Sequence, residues 1–187
     1  MPQLDFEATY RKAGPLLQIA LLLAREAGLR LKAIREFRLD NIDFENSQVY
    51  GRTKAYGTYN VPMTKRLEAK LLWACASLPD VGQGILQQFN RGQKPVCGTN
   101  IQQKLAAAKR AAGITRKWGM HDLRRTGARN LYRVTGNILK VQRFLGHTSP
   151  AHSWWYLGLE ANDLSQAEIE QSSSAQPQEP KEERKIA

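Results

Sequence analysis

The segment that decides the fold is LGHTSPAHSWWY, which runs from Leu145 to Tyr156 and places a Gly-His pair, a polar turn and a tyrosine within twelve residues. In a structural interpretation, a helix ends at Gly146, the chain turns at Pro150, and the aromatic residues pack. In a chemical interpretation, the phenol of Tyr156 is a nucleophile and the histidine lies beside the group that it attacks. The rest of the sequence has to decide between the two.

The composition indicates a polyanionic partner. The chain of 187 residues carries a formal net charge of +11, because 28 lysines and arginines outnumber 17 aspartates and glutamates. A surplus of this size is typical of proteins that bind nucleic acid. The alternative is a ribosomal protein, or a protein that is merely basic.

The length predicts one globular domain with a tail. We expect the domain to cover residues 1–164, since a chain of this size builds a single core. Residues 165–187 are expected to form a short helix, with Ser165 and Glu168 as a capping box, and a disordered tail rich in Ser, Pro, Gln and charge.

Cysteine usage and hydropathy bear on the compartment. Cys75 and Cys97 show no C-x-x-C spacing, so neither a disulfide framework nor a zinc site is expected. The longest apolar run, from Ile19 to Ala24, is too short to span a bilayer. The N-terminus shows no secretion signal. We therefore expect a cytoplasmic protein without membrane association.

Periodicity and capping residues predict a mostly helical α+β domain with one small antiparallel sheet. The sheet is expected in NIDFENSQVYGRTKAYGTYNVPMT, residues 41–64, because β-branched and aromatic residues are frequent there. Thr64 is the predicted N-cap of a helix that presents Leu67, Leu71, Leu72 and Cys75 on one face. Further helices are predicted over residues 15–26, 32–38, 100–112, 121–134, 138–145 and 150–157, with a loop over residues 80–98.

The predicted helix HDLRRTGARNLYR carries two charged groups on an otherwise small, apolar face. His121, Arg124, Ala128 and Leu131 are spaced by three, four and three positions, which places them on one side of a helix. We expect this face to point inward or into a cleft, where an arginine needs a partner. The partner is either a carboxylate, with Asp122 the nearest in sequence, or a bound anion.

The same helix carries a second stripe of positive charge. It consists of Arg125, Arg129 and Arg133, which follow one another at intervals of four. Two interpretations stay open for this stripe: a solvated face, or a set of contacts to DNA phosphates.

With HDLRRT and LGHTSPAHSWWY together, the sequence resembles the tyrosine recombinase (phage integrase) family from about Pro15 to Leu159. Members of that family show an arginine in GLR, a lysine in a hairpin that ends VPL, then HxLR, LGH and a tyrosine. The corresponding segments here are AGLR, TKAYGTYNVPMT, HDLR, LGH and WWY, which contain Arg30, Lys54, His121, Arg124, His147 and Tyr156. Arg124 and His147 are 23 positions apart, and His147 and Tyr156 are nine apart.

The resemblance implies transesterification of a DNA phosphodiester without a metal or other cofactor. The phenol of Tyr156 attacks phosphorus, forms a 3′-phosphotyrosyl bond and expels a 5′-hydroxyl. Arg30 and Arg124 bind the phosphate oxygens through their planar forks, and His147 adds a hydrogen bond. His121 is the candidate base and Lys54 the candidate acid for the leaving oxygen.

The resemblance also implies partners. They are double-stranded DNA, further copies of the chain in a tetramer on that DNA, and accessory DNA-bending proteins. The expected function is site-specific recombination on a mobile genetic element, by integration, excision or inversion. Family members usually carry an N-terminal helical domain, whereas about fifteen residues precede the first predicted core helix here, so the likeness is to the catalytic domain.

Other functions stay open at this point. One is a catalytically weak or inactive DNA-binding remnant or regulator with the same fold, which the absence of the N-terminal domain favours. Another is a nicking enzyme similar to type IB topoisomerases, although the compact spacing from LGH to tyrosine favours the recombinases. A role in binding RNA would account for the charge but for none of the spacings.

Overall fold

The computed structural model describes residues 2–53, 57–77 and 97–158. Three helices come first, followed by three strands and five further helices. They are α1 (Gln3–Lys12), α2 (Pro15–Arg25), α3 (Leu31–Arg35), β1 (Ile42–Asp43), β2 (Gln48–Thr53), β3 (Gly57–Pro62), α4 (Lys65–Ser77), α5 (Gly98–Ala111), α6 (Met120–Thr135), α7 (Ile138–Leu145) and α8 (Pro150–Leu157). None of the helices in these ranges has the length and hydropathy of a membrane-spanning segment.

Helix α2 forms the centre of the core. Its six residues from Ile19 to Ala24 have no solvent exposure, which agrees with a helix that is apolar nearly all round. Helices α3, α4, α5 and α6 pack around it. The predicted buried helix is therefore confirmed, and its C-terminal end leads directly into the segment that contains Arg30.

The small sheet is antiparallel, with the strands in the order β1-β2-β3. Val49 on β2 pairs with Val61 on β3, and both side chains are buried against the helices. Strand β3 also contacts α7, and the turn between β2 and β3 lies outside the described residues. The predicted small antiparallel sheet is confirmed.

Helix α1 was not predicted from the sequence. It docks through contacts between arginines and aromatic rings: the Arg25 guanidinium lies 4.1 Å from the Phe6 ring centre, and that of Arg66 lies 3.7 Å from the Tyr10 ring centre. Arg66 also binds the Glu7 carboxylate through two nitrogens, at 2.8 and 3.0 Å. The two arginines belong to α2 and α4, so the contacts that stabilise α1 are not visible in its own short, weakly amphipathic sequence.

Helix α4 confirms one prediction and corrects another. Its N-cap is Thr64, whose hydroxyl oxygen accepts a hydrogen bond from the Leu67 amide at 3.1 Å. Leu67 and Leu71 are fully buried as predicted, but Leu72 is 51% exposed and Ala74 is buried instead. The predicted face was too wide: Leu67, Leu71 and Ala74, spaced by four and three, form the buried face, whereas Cys75 is only half-buried.

Several predictions fall on parts of the chain outside the described residues. These are most of the loop over residues 80–98, and the short helix and tail over residues 165–187. Gly98, which was assigned to the loop, already begins α5. The domain boundary at residue 164 stays a prediction.

The closest approach between α2 and α6 depends on a glycine. A Cβ atom on Gly127 would lie 1.9 Å from the Arg25 carbonyl oxygen and 3.2 Å from Cζ of Phe144. We therefore expect Gly127→Ala to lower the free energy of unfolding by about 3 kcal/mol, because backbone has to move. Urea denaturation measures this change.

Gly14→Ala is the matched control. A Cβ atom there meets nothing within 4 Å, and the φ of −65° suits any residue. Its expected loss is about 0.5–1 kcal/mol, well below that of Gly127→Ala, because alanine is a poorer N-cap than glycine but meets no steric clash there. Equal losses in the two variants would contradict close packing at Gly127.

Candidate active site

The structure brings five of the predicted site residues together at one place. The Tyr156 ring on α8 lies 5.2 Å from the His121 ring and 5.4 Å from the His147 ring, both edge-on. The guanidinium of Arg124 lies 5.8 Å from the Tyr156 ring centre. Arg30, the N-cap of α3, is exposed, and its positive charge acts on both His147 and Tyr156.

The sixth predicted residue, Lys54, lies outside the described residues. The neighbouring strands end at Thr53 and resume at Gly57. Its role as the acid for the leaving oxygen stays a prediction.

Arg124 anchors the floor of the site. Its side chain is 2% exposed and Ala128 is buried, as predicted for the inward face, whereas His121 at the start of the same face is exposed and Leu131 is half-buried. One Nη atom donates to the Gly28 carbonyl and the other to the Leu145 carbonyl at 2.6 Å. The carboxylate of Asp122 accepts instead from the Gly119 amide at 2.9 Å. Arg124 therefore ties the end of α2 to the end of α7 through backbone carbonyls, which satisfy a buried donor without neutralising its charge.

Two tight turns present these carbonyls. Gly28 has a φ of +64°, and a Cβ atom there would lie 2.6 Å from the Phe144 carbonyl oxygen. Gly146 has a φ of +54° and ends α7, so the His147 amide donates back to the Gln142 carbonyl at 3.0 Å. Left-handed backbone at both glycines thus places the Arg124 acceptors and His147 at one corner.

His147 is uncharged at neutral pH. Its ring is half-buried, and Nδ1 lies 3.1 Å from the Ser153 hydroxyl oxygen. Burial, followed by the positive charges of Arg124 and Arg30, lowers the pKa of His147 to about 4. The imidazole therefore has one proton to donate, and its other nitrogen can only accept.

This low pKa predicts a pH-dependent stability. The unfolded chain binds a proton at His147 with a pKa near 6.5, whereas the folded protein resists it to about pH 4. The unfolded state thus holds more protons in this window, and stability falls as the pH decreases through it. Because solvent screens the half-buried ring, we expect the contribution between about pH 7 and pH 5 to be ~1 kcal/mol.

Urea denaturation at the two pH values tests this prediction. His147→Gln is expected to lose about 1 kcal/mol less than the wild type on acidification, because glutamine does not titrate. The other two histidines and all carboxylates are common to both proteins. Equal losses in the two proteins would contradict the lowered pKa.

Tyr156 is a protonated phenol at rest. Burial raises the pKa of its hydroxyl, and the charge and hydrogen bond of Arg124 only partly offset that rise. The hydroxyl lies 3.5 Å from the backbone carbonyl of His121, a long contact that leaves it available to other partners. A reaction at this oxygen therefore needs a proton acceptor.

Part of the arginine stripe supports the helix that carries Tyr156. Arg129 donates from Nε and Nη2 to the Leu157 carbonyl, at 3.1 and 2.9 Å. A Cβ atom on Gly158, the next residue, would lie 2.8 Å from Nη2 of Arg125. Cations at the C-terminal end of a helix satisfy its free carbonyls. Arg133 is exposed.

Sequence reasoning missed this capping role, and it also missed Ser153 as a partner of His147. Regular spacing along α6 indicates a stripe but does not show what lies opposite it.

Within the described ranges, no group of three or more His, Cys, Asp or Glu side chains could hold a metal ion.

Known proteins resemble this chain along most of its length. The sequence profile of the phage integrase family matches residues 5–162. Tyrosine recombinase XerC of Alcanivorax borkumensis is 28% identical over 153 residues, which are 80% of this chain and 50% of that protein. The chain thus spans about half the length of the XerC relatives that it matches.

Two crystal structures share the fold. XerA recombinase gives a TM-score of 0.72 at 19% identity, over 95% of this chain and 64% of that one. A lambda integrase tetramer bound to a Holliday junction gives a TM-score of 0.63 at 20% identity, over 80% of this chain and 47% of that one. At these identities the likeness concerns the fold alone.

Proposed function

Because the chain belongs to the phage integrase family, we propose that it is a tyrosine-type site-specific recombinase that breaks and rejoins DNA strands through a 3′-phosphotyrosyl intermediate. The observation that carries this proposal is that two imidazoles and the buried Arg124 guanidinium lie within 6 Å of the Tyr156 ring centre. Three separate segments of the chain supply these groups, namely α6, the turn after α7, and α8, and a packing role alone does not require so many polar partners for one tyrosine.

The first step is binding of the scissile phosphate. Its two non-bridging oxygens carry negative charge, which a positively charged, partly desolvated site stabilises. Arg30 is exposed at the mouth of the site and binds from the solvent side. Arg124 acts from the interior, where its orientation is already set by the Gly28 and Leu145 carbonyls. The Tyr156 oxygen, which lies in the same site, attacks the phosphorus that these two arginines hold.

The second step is the nucleophilic attack. The Tyr156 oxygen forms a bond to phosphorus, and the bond from phosphorus to the 5′-oxygen breaks. The phenolic proton passes to His121, the candidate base, whose ring is in edge contact with the tyrosine. The departing 5′-oxygen takes a proton from Lys54. In the reverse sense, a 5′-hydroxyl from another strand attacks the phosphotyrosine and releases Tyr156, so the energy of the original bond is conserved.

We further propose that the chain acts on double-stranded DNA as a tetramer, together with DNA-bending proteins. The net charge of +11 favours binding to the phosphate backbone. The lambda integrase structure, a tetramer on a Holliday junction, supports this assembly by likeness of fold.

The alternative is a DNA-binding protein that retains the fold without recombining. The test is incubation with nicked duplexes taken from the flanks of its own gene, in which the nick releases a short fragment and traps the intermediate. A covalent protein–DNA adduct on a denaturing gel supports the recombinase. Specific binding to the same duplexes without an adduct supports the alternative.

The arginine stripe provides a further prediction about rate and affinity. We expect Arg129→Ala to slow adduct formation about fivefold, because the last turn of α8 loses two hydrogen bonds at Leu157. The dissociation constant for DNA is expected to stay within about twofold of the wild type, because the Leu157 carbonyl already occupies the Nε and Nη2 donors of Arg129.

Arg133→Ala is the matched control, since it removes one positive charge from the same stripe. Its side chain is exposed, so we expect weaker DNA binding with the cleavage step unchanged. The slope of the logarithm of the binding constant against the logarithm of the salt concentration is expected to decrease in magnitude by about one. Fluorescence anisotropy at several salt concentrations measures both effects. A loss of affinity in Arg129→Ala equal to that in Arg133→Ala would assign Arg129 to phosphate binding.

A further inference from the structure

Ser153 is a buried polar residue next to the site. It lies on α8, three residues before Tyr156, and its side chain has no solvent exposure. Its hydroxyl oxygen lies 3.1 Å from Nδ1 of His147. A hydroxyl that is closed off from water needs an acceptor for its hydrogen, because an unpaired buried donor is costly.

The direction of this hydrogen bond depends on which acceptor is available to the Ser153 hydroxyl hydrogen. Three threonine hydroxyls on helices of this protein find theirs within the helix. Thr9, Thr126 and Thr135 each donate to the carbonyl four residues earlier, at 2.7 to 2.8 Å. In the described part of the chain Ser153 makes no such bond, and Nδ1 of His147 is its hydrogen-bonding partner. If Nδ1 carried a proton and donated, the serine hydrogen would be left without an acceptor. The serine therefore donates and Nδ1 accepts.

This direction determines where the histidine carries its proton. An imidazole nitrogen that accepts a hydrogen bond has no proton of its own, so in the uncharged ring the proton is on the other nitrogen, Nε2. Burial and the charges of Arg124 and Arg30, which hold the pKa of His147 at about 4, favour that uncharged ring. With Nδ1 bound to Ser153, Nε2 is the nitrogen that remains for a ligand.

We propose that Ser153 is a positioning residue that holds the ring proton of His147 on Nε2, so that His147 donates a hydrogen bond to the scissile phosphate. The proposal rests on the proposed recombinase function. The opposite tautomer would point a lone pair at a phosphate oxygen and repel it. Because Ser153 and Tyr156 share α8, the helix that carries the nucleophile also sets the hydrogen-bonding role of the histidine.

The tautomer can be measured without any reaction. The full chain is labelled with nitrogen-15 at histidine, and its three imidazoles are assigned by comparison with single Gln variants. At neutral pH we expect the His147 spectrum to show a proton on Nε2 and none on Nδ1. A proton on Nδ1 would overturn the proposal, whether or not the protein cleaves DNA.

A kinetic experiment tests the consequence for catalysis. Ser153→Ala is expected to slow adduct formation on nicked DNA about fivefold at unchanged DNA affinity, whereas Ser153→Thr keeps a hydroxyl and stays within about twofold of the wild type. In a His147→Gln background, Ser153→Ala is expected to cause no further loss, because the serine acts through the histidine. A fivefold loss in both backgrounds would assign Ser153 to packing and overturn the proposal.

The two experiments separate the possible failures. If the wild type forms no adduct but His147 carries its proton on Nε2, the recombinase function fails and the tautomer assignment stands. If the adduct forms and the proton is on Nδ1, the function stands and the role of Ser153 fails.

Discussion

Tyr156→Phe is expected to abolish the covalent adduct with nicked DNA. Phenylalanine has no atom that can form the phosphotyrosyl bond, so the loss is complete rather than graded. DNA binding is expected to stay within about twofold, because the phosphate is held by arginines. Stability is expected to change by about 1 kcal/mol or less, since the hydroxyl makes a hydrogen bond with Arg124 and a long contact, at 3.5 Å, with the His121 carbonyl.

Tyr132→Phe is the matched control for this experiment. Tyr132 is also half-buried, and its ring packs edge-on against Trp154 at 5.8 Å, away from the histidines. We expect normal adduct formation in this variant. An adduct that persists in Tyr156→Phe, or that disappears in Tyr132→Phe, would show that Tyr156 is not the nucleophile.

Arg124→Lys is expected to have the next largest effect, a 10²- to 10³-fold slower cleavage, by analogy with the loss of one oxyanion donor. A lysine retains the charge but cannot bridge two carbonyls while it also faces a phosphate. Because the Gly28 or Leu145 carbonyl loses its donor inside the core, stability is expected to fall by about 1–3 kcal/mol as well. Single-turnover cleavage and urea denaturation measure the two losses.

Arg30→Lys separates the two effects. Arg30 is exposed, so we expect stability to change by no more than about 0.5 kcal/mol. Cleavage is expected to slow by the same 10² to 10³, because the second planar fork on the phosphate is lost. Cleavage at the wild-type rate in Arg30→Lys would show that the Arg30 guanidinium does not bind the scissile phosphate together with Arg124.

The family and the helical fold with its small sheet were predicted correctly from the order and spacing of short motifs, and both are confirmed. The helix ends near the site are also local properties of the chain. Asn137 accepts from two amides at the start of α7, Gly146 ends that helix, and Ser149 with Pro150 begins α8. Capping side chains, left-handed glycines and an initial proline act within a few residues. For this reason the bounds of α7 and α8 were predicted exactly.

Contacts between distant segments were not predictable in the same way. The partners of Arg124 were expected to be a carboxylate or a bound anion, whereas the acceptors in the fold are carbonyls 96 and 21 residues away. A carbonyl is present at every position of a chain, so no sequence pattern indicates which ones an arginine will reach. The same holds for Arg129, whose contact with Leu157 spans 28 residues.

By itself, the sequence determined which groups are available for chemistry and where the helices that bear them begin and end, because hydrophobic period and capping depend on neighbours along the chain. Only the tertiary structure decided that Arg124 is held by two carbonyls, that Arg129 supports the tyrosine helix, and that Ser153 faces His147. Those pairings depend on how α2, α6, α7 and α8 pack, and packing follows from burial of the whole core rather than from any local signal.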